Sequence, residues 1–476
     1  MTDRSQSDRL RVVAGGVPLA NPVICGSGEH LIEPGGIRAA IAAGAGAVVV
    51  KSANENEGAR RQLGHTDYGL FDSSWRPLPW DFDPPPDASL LNRSGLYPGS
   101  LDQWIEMMAG LVAEQGDSVV VPSVIPADYD LAVDLCHRVV GATGCQVIEL
   151  NAGAPHGREA APGAIALETG ADRLRDLVAA VRAEVEVPLW LKLTGQTDDV
   201  VELAEAGFDG GADAVTLMGR FMAFLPDVET QAPMLRTMGA FGGPWALPLT
   251  CRWLALTRAR VGADRTLLGT NGARSGLDIA RFLLAGATAV QMNSAVFTGG
   301  FPVIGRAIAE LDAYLVGHGD TAAGLIGRAA DQLEGYTDQP VDDERWYRFV
   351  PPEARPRPTN VAGQGDAMPD MTVFTGERSR AGYRINKLSA SLTEAANREA
   401  FLADEAAYCG RFGLTEHERQ LIADRDWTGV VAAGGNIYVF LKIAATIGSN
   451  LIEVGASMRG ETVDQFLATR PANQER

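Results

Sequence analysis

From about Pro22 to Leu315 the hydrophobic positions follow two alternating rhythms. Short runs of consecutive apolar, often β-branched residues are followed by longer segments in which apolar residues return every three or four positions. The first rhythm is that of a strand buried on both faces, and the second that of a helix with one buried face. Eight runs occur in order: "PVICG", "AVVVK", "SVVVPS", "QVIELN", "PLWLKL", "DAVTLM", "TLLGT" and "TAVQMN". The segments between and after them predict helices over 36–45, 128–140, 172–185, 199–206, 249–261, 277–285 and 303–315. Eight strand–helix units predict an α/β chain folded as a closed (β/α)8 TIM barrel. An open doubly wound sheet would carry a Gly-x-Gly-x-x-Gly turn after a strand, and "CGSGEHL" lacks the third glycine.

Three stretches break the alternation. From Ser52 to about Ser100 the chain is rich in Pro, Asp and Trp before it reaches "NRSGLYPGS", which reads as a lid or binding loop. Around "PPEARPRPT" it reads as a linker or surface arm. From Tyr383 the helical period returns, with "TEAANREAF" and "TEHERQLIA" each opening on a threonine that can cap a helix. The expected organisation is a barrel over 1–335, an arm over 336–382 and a small all-α domain over 383–476.

Composition narrows the function classes. The chain of 476 residues is 46% hydrophobic with a formal net charge of −19, which excludes the basic surface that a nucleic-acid binder needs. The start, "MTDRSQSDRL", lacks the pattern of a secretory signal, and the longest near-apolar run, 39–50, is too short to span a bilayer. A cytoplasmic protein without a membrane partner is expected. The five cysteines show no Cys-x-x-Cys spacing and the six histidines form no ligand cluster, so neither disulfides nor a metal are expected.

In a (β/α)8 barrel the chemistry gathers where strands end. The residues there are Gly26 and Ser27, Lys51 and Ser52, Ser123, Asn151, Lys192, Gly219, Asn271 and Gly272, and Asn293 and Ser294. Two lysines closing apolar strands would send cationic groups into one cavity, where an electron-rich ring or a phosphate could meet them. "GTNGARSG" and "MNSAV" offer small residues and free amides ahead of helix starts, and "FGGPWALP", with Gly243, could complete a phosphate cradle. Tight strand-to-helix turns use the same residue types, so both readings stand at this point.

The segments "NPVICGSG", "AVVVKS", "NRSGLYPG", "IELNAGAPHG", "LWLKLT", "FGGPWA" and "GTNGARSGLDIARFLLAGATAVQMNSA" together resemble the dihydroorotate dehydrogenase family over about 12–316. The Asn-x-x-x-Pro-His-Gly stretch is most similar to the pyrimidine-reducing domain of dihydropyrimidine dehydrogenase. The resemblance implies a barrel that binds FMN non-covalently. It implies that Gly26, Ser27, Lys51 and Ser52 contact the isoalloxazine and that Asn151 and Lys192 bind its edge. Gly243, Asn271, Gly272, Asn293 and Ser294 would hold the phosphate, and Asn92 and Asn151 the amide edge of a substrate.

Departures from that family are as informative. Ala154 stands where the family has a Cys or Ser acid/base, and Ala cannot carry a proton. The asparagine ending strand six is replaced by Gly219, followed by Arg220, and a second substrate-loop asparagine by Tyr97-Pro98. The expected activity is therefore that of an FMN-dependent oxidoreductase acting on a CH–CH or similar donor, with a small substrate other than orotate or uracil. Lys51 and His156, with Tyr97 second to His156 as proton carrier, are the catalytic candidates, and Arg220 joins the substrate side. The electron donor or acceptor is unspecified. A flavin-dependent oxygenase and a non-catalytic flavin- or substrate-binding subunit of a ring-cleaving dioxygenase system are the alternatives.

"RINKLSASLTEAANREAFLADEAAYCGRFGLTEHERQLIADRDWTGVVAAGGNIYVFLKIAA" is similar to the small α subunit of protocatechuate 4,5-dioxygenase, the LigA-like family. That subunit caps the site of a metal-bearing partner and holds no metal. The resemblance implies a cap over a barrel mouth in this or another protomer. Asn436 and Tyr438 of "GGNIY", an amide and a phenol after a flexible glycine pair, are expected to touch substrate, and a homo-oligomer is expected. The other reading of that segment makes Asn436 a helix cap and Tyr438 a core residue.

Overall fold

The computed structural model describes residues 8–153, 170–340, 349–351 and 376–468. Its central feature is a closed parallel barrel. The strands are β1 (Val23–Cys25), β2 (Ala47–Val49), β3 (Val119–Val121 and Ser123–Val124), β4 (Ile148–Asn151), β5 (Leu189–Lys192), β6 (Ala214–Leu217), β7 (Thr266–Thr270) and β8 (Ala287–Met292). Each pairs in parallel with the next, and β8 returns to β1. All eight apolar runs thus form barrel strands, and the expected (β/α)8 barrel is the fold. Pro122 divides β3: its first half pairs with β2 and its second with β4, because proline has no N–H for the ladder. The Pro122 carbonyl still accepts from Glu149 N–H at 2.9 Å.

The predicted helices form with shifted ends, as Pro34–Ala42, Tyr129–Thr143, Ala171–Glu184, Val200–Asp209, Leu247–Val261, Gly276–Leu284 and Pro302–His318. Asp128, Asp199 and Ser275 cap three of them through their side chains. The helix between β2 and β3, Leu101–Glu114, was absent from the predicted set, though a Ser100–Gln103 capping box opens it. It buries Trp104, Met108 and Leu111 against the barrel. At the N-terminal end of the strands a hairpin, Val12–Ala14 with Val17–Leu19, packs close. A Cβ on its Gly15 would stand 2.8 Å from the Asp213 carbonyl, and Gly15 has a φ of +53°.

The stretch read as a loop between Ser52 and Ser100 is half of a sheet. Asp67–Phe71 and Ser89–Arg93 pair with each other and, through Gly239–Gly242, with Phe221–Ala223, all antiparallel. These strands arise from the segments after β2 and β6, which places the sheet over the C-terminal mouth of the barrel.

Contacts divide the chain into Met1–Pro340 and Val341–Arg476. The second unit is helical and has a core of its own, in which Trp427 and Phe440 stack with ring centroids 5.5 Å apart. Thr415 caps the helix Glu416–Ala423 as expected. Thr393 does not cap; the helix Ala395–Ala403 begins at Glu394, and the Thr393 hydroxyl donates back to the Ala390 carbonyl. Among the described residues no single helix is long and apolar enough to cross a membrane, and no three His, Cys, Asp or Glu side chains group at metal-binding distance.

Candidate active site

At the barrel mouth, strand ends and the overlying sheet enclose a cavity of about 1030 Å³, open mouth included. Lys51, directly after the strand β2 and its neighbour Val50, and Lys192, the last residue of β5, both line it. Lys51 is only 3% exposed, and its Nζ donates to Glu29 Oε1 at 2.9 Å. The same oxygen accepts from Gly95 N–H at 3.2 Å. Burial on its own would raise the Glu29 carboxyl, but Lys51 and Arg220 beside it hold it down at about 2. Burial lowers the pKa of both lysines, opposed by Glu29 at Lys51 and by Glu149 at Lys192.

A chain of buried polar groups crosses the barrel beneath the cavity. Lys192 Nζ donates to Gln291 Oε1 at 2.6 Å, and Gln291 Nε2 to Glu149 Oε2 at 2.7 Å. The other Glu149 oxygen accepts from Ser123 Oγ at 2.9 Å, Ser123 Oγ lies 2.9 Å from Ser52 Oγ, and Asn151 Nδ2 reaches Ser52 Oγ at 3.4 Å. Register explains the convergence, since Lys192 lies beside Asn151 and Ser123 beside Glu149 on paired strands. Glu149, 0% exposed, is thereby satisfied on both oxygens.

The far end of the cavity is walled by small residues. After β7 the chain turns through Asn271 at φ +70° and Gly272 at +121°. Asn271 Nδ2 donates to the Gly219 carbonyl at 3.1 Å and Asn293 Nδ2 to the Ser27 carbonyl at 2.8 Å. Both asparagine side chains therefore brace neighbouring turns and leave backbone and space for a ligand. A Cβ on Gly242 would stand 3.4 Å from Asn271 Oδ1 and 3.9 Å from the Ser294 side chain, filling the gap between those turns. Phe241, stacked on Trp245 at 5.1 Å, adds a flat apolar wall.

Three cations, Lys51, Lys192 and Arg220, thus face one lining carboxylate, Glu29, in a chain of net charge −19. A flat ring with an anionic phosphate arm fits this arrangement. The dihydroorotate dehydrogenase family model matches residues 9–315. The chain belongs to the dihydroorotate dehydrogenase family. A second model, the LigA subunit of the aromatic-ring-opening dioxygenase LigAB, matches 385–471. Among similar proteins, the catalytic subunit of dihydroorotate dehydrogenase B (NAD(+)) from a Geobacter species is 28% identical over 326 residues, 68% of this chain and 98% of its own. The same subunit from Thermoplasma acidophilum is 28% identical over 48% of this chain and 73% of its own. Dihydroorotate dehydrogenase A (fumarate) from Lactobacillus helveticus is 28% identical over 44% of this chain and 68% of its own. The chain is an oxidoreductase with an FMN-binding barrel, joined to a LigA-like helical unit.

Most residues expected at the site in this dihydroorotate dehydrogenase family member line the cavity. Ser27, Lys51, Ser52, Asn151 and Lys192 are in its lining, as are Asn271, Gly272, Asn293 and Ser294. Asn92 and Arg220 line it too, and Arg220 donates to Ser94 Oγ. Three expected residues stand outside that lining. Gly26 is not in the lining; its N–H ties β1 to the Met292 carbonyl at 2.9 Å. Gly243 also stands outside it, and a Cβ there would stand 2.5 Å from Ser89 Oγ; its neighbour Gly242 is in the lining. Tyr97 lies outside the cavity with its ring against Gly99.

His156 and Ala154 fall outside the described residues. On the helical unit Asn436 caps the helix Ile437–Thr446, and its own N–H donates to Asn386 Oδ1. Tyr438 is 84% exposed, so the core reading of that side chain does not hold. The glycines before them are sites of close packing: a Cβ on Gly434 would stand 2.0 Å from the Arg378 carbonyl.

The sequence reading missed Glu29, Glu149 and Gln291. Each carried a signal. Glu29 is the acid in the loop after β1, and Glu149 and Gln291 are polar residues inside otherwise apolar strands, where burial demands a partner.

Proposed function

We propose that this oxidoreductase acts on a small organic molecule other than orotate or uracil, moving a hydride between a substrate carbon and the flavin. FMN supplies the hydride-accepting centre when bound. Lys51 and Lys192 favour negative charge on the ring system, Glu29 keeps Lys51 charged and in place, and Ser52 with Asn151 orients polar edges. The small-residue turns after β7 and β8 take the phosphate arm.

The observation that carries the substrate reading is at Gly219. A Cβ there would meet the Leu193 carbonyl at 2.5 Å, so a side chain at the position of the family's asparagine requires that backbone to shift. The next residue, Arg220, faces the cavity instead and favours an anion. The test is anaerobic mixing of the flavin-loaded protein with dihydroorotate or dihydrouracil, following flavin absorbance. Bleaching slower than about 0.01 per second, against ordinary turnover of about 1 per second or more, is the expected result. Rapid bleaching by either compound would refute the proposal.

A further inference from the structure

A second cavity, of about 930 Å³ with its open side, adjoins the first. The two share a wall made of Asn92, Ser94, Arg220 and Ala240. Among the described residues the outer cavity is lined by Arg61, His65, Arg93 and Arg220 and by no acid, although Arg61 Nη2 reaches Glu57 Oε2 outside it at 3.5 Å, in a chain where Asp and Glu outnumber Lys and Arg by 60 to 41. Met222 and Met238 give it apolar faces, and Met238 is 50% exposed. Arg93 Nη1 donates to the Leu235 carbonyl at 3.1 Å and Nη2 lies 3.7 Å from Asp67. Its Nε is buried without a hydrogen-bond partner among the described residues. That atom is closed off from the cavity, so Arg93 contributes its positive charge to the wall and the remaining capacity of its terminal nitrogens to an acceptor.

We propose that the outer cavity is a subsite for the carboxylate of an elongated organic acid, whose reacting carbon lies in the inner cavity. The proposal rests on the oxidoreductase reading above and names its substrate class. Guanidinium groups match the planar carboxylate with paired N–H donors. The methionines suit the hydrocarbon between acid and reacting carbon. Arg220, on the common wall, marks the passage between the two. An acid whose carboxylate sits directly on its reacting ring would leave the outer cavity unused, which separates this substrate class from a pyrimidine carboxylate.

Calorimetric titration of the full-length protein with cinnamate and with the neutral cinnamamide tests the proposal without requiring turnover. The acid is expected to bind at least about tenfold more tightly than the amide, the scale of one to two charge-assisted hydrogen bonds. Arg93→Gln should reduce that preference to under about threefold, and Arg93→Lys should leave it intermediate. Met238→Glu, at an exposed position lining only the outer cavity, should abolish it while leaving the fold intact. Equal affinity for acid and amide, no binding of either, or a preference that survives both Arg93→Gln and Met238→Glu would overturn the proposal. Flavin content, read separately from the visible spectrum, tests the oxidoreductase reading. A protein that holds no flavin yet prefers the acid would sink that reading and keep the subsite.

Discussion

Glu29 and Lys51 form a 2.9 Å ion pair in the cavity wall, and both side chains are largely withdrawn from water, at 14% and 4% exposure. Such a pair is weak evidence for net stability, but removing one partner strands the other charge. Glu29→Gln is therefore expected to cost the flavin-free protein about 2–4 kcal/mol in urea unfolding at pH 7, and Lys51→Met a similar amount. The double variant should be less destabilised than the sum by about 1–3 kcal/mol. Strictly additive losses would mean that the two groups do not rely on each other.

Acid stability should report two separate windows. Burial, with Lys51 nearby, pulls His30 from its ordinary 6.5 down to about 4, although Glu29 opposes this. The folded state then binds fewer protons than the unfolded chain between those values. The stability His30 contributes is complete above pH 6.5 and is lost as pH falls towards 4, at no more than about 1.4 kcal/mol per pH unit. Glu29, lowered from 4.5 to about 2, keeps its contribution above pH 4.5 and loses it as pH falls towards 2. His30→Phe replaces one ring by another between Phe297 and Phe301, whose centroids lie 5.6 and 5.8 Å away. It should flatten the upper window and leave the lower one. An unchanged slope of unfolding free energy between pH 6.5 and 4 would show that His30 is not held neutral.

The barrel was legible because parallel strands buried on both faces must be continuously apolar, and eight such runs leave little choice of fold. Lys51, Lys192 and Asn151 were legible for a related reason: a polar residue closing an apolar run stands where a barrel builds its site. The antiparallel sheet over the mouth was not. Its strands, such as "DYGLF" and "GAFG", have no clean alternation, because they lie between a cavity and solvent and pair across long sequence separations. Glu149 and Gln291 were hidden in strands that otherwise read as apolar. Their partnership depends on strand register and on a reach across the barrel, and neither is written in local sequence. Gly243 and Gly242 illustrate the limit of resolution, since a one-residue difference decides which lines the cavity and which lies against Ser89.

Gln291 joins two buried charges, accepting from Lys192 and donating to Glu149. Gln291→Leu removes both hydrogen bonds at once and leaves a lysine and a carboxylate without their intermediary. A loss of about 3–5 kcal/mol is expected, with flavin retained less firmly because Lys192 loses its orientation. Gln291→Met tests packing alone at similar volume and should be as damaging. If both variants unfold at the wild-type urea midpoint with full flavin content, the chain of hydrogen bonds has no part in holding the site.

Gly219 sets a steric limit on converting this site into a pyrimidine site. Its N–H donates to the Leu193 carbonyl at 3.0 Å, and a Cβ would come within 2.5 Å of that same oxygen. The preceding Met218 is already at φ +64°, so the turn has little freedom to retreat. Gly219→Ala should therefore destabilise the protein by about 1–3 kcal/mol. Gly219→Asn should cost about the same, because the clash lies at Cβ and precedes anything the amide could do. Neither variant should reduce its flavin with dihydrouracil or dihydroorotate, since displacing the Leu193 carbonyl moves the end of β5 and with it Lys192. The Ala variant separates the steric cost from any functional gain. Flavin reduction by a pyrimidine in Gly219→Asn but not in Gly219→Ala, at an unchanged unfolding midpoint, would show that the turn accommodates a side chain and that the missing amide alone excludes pyrimidines.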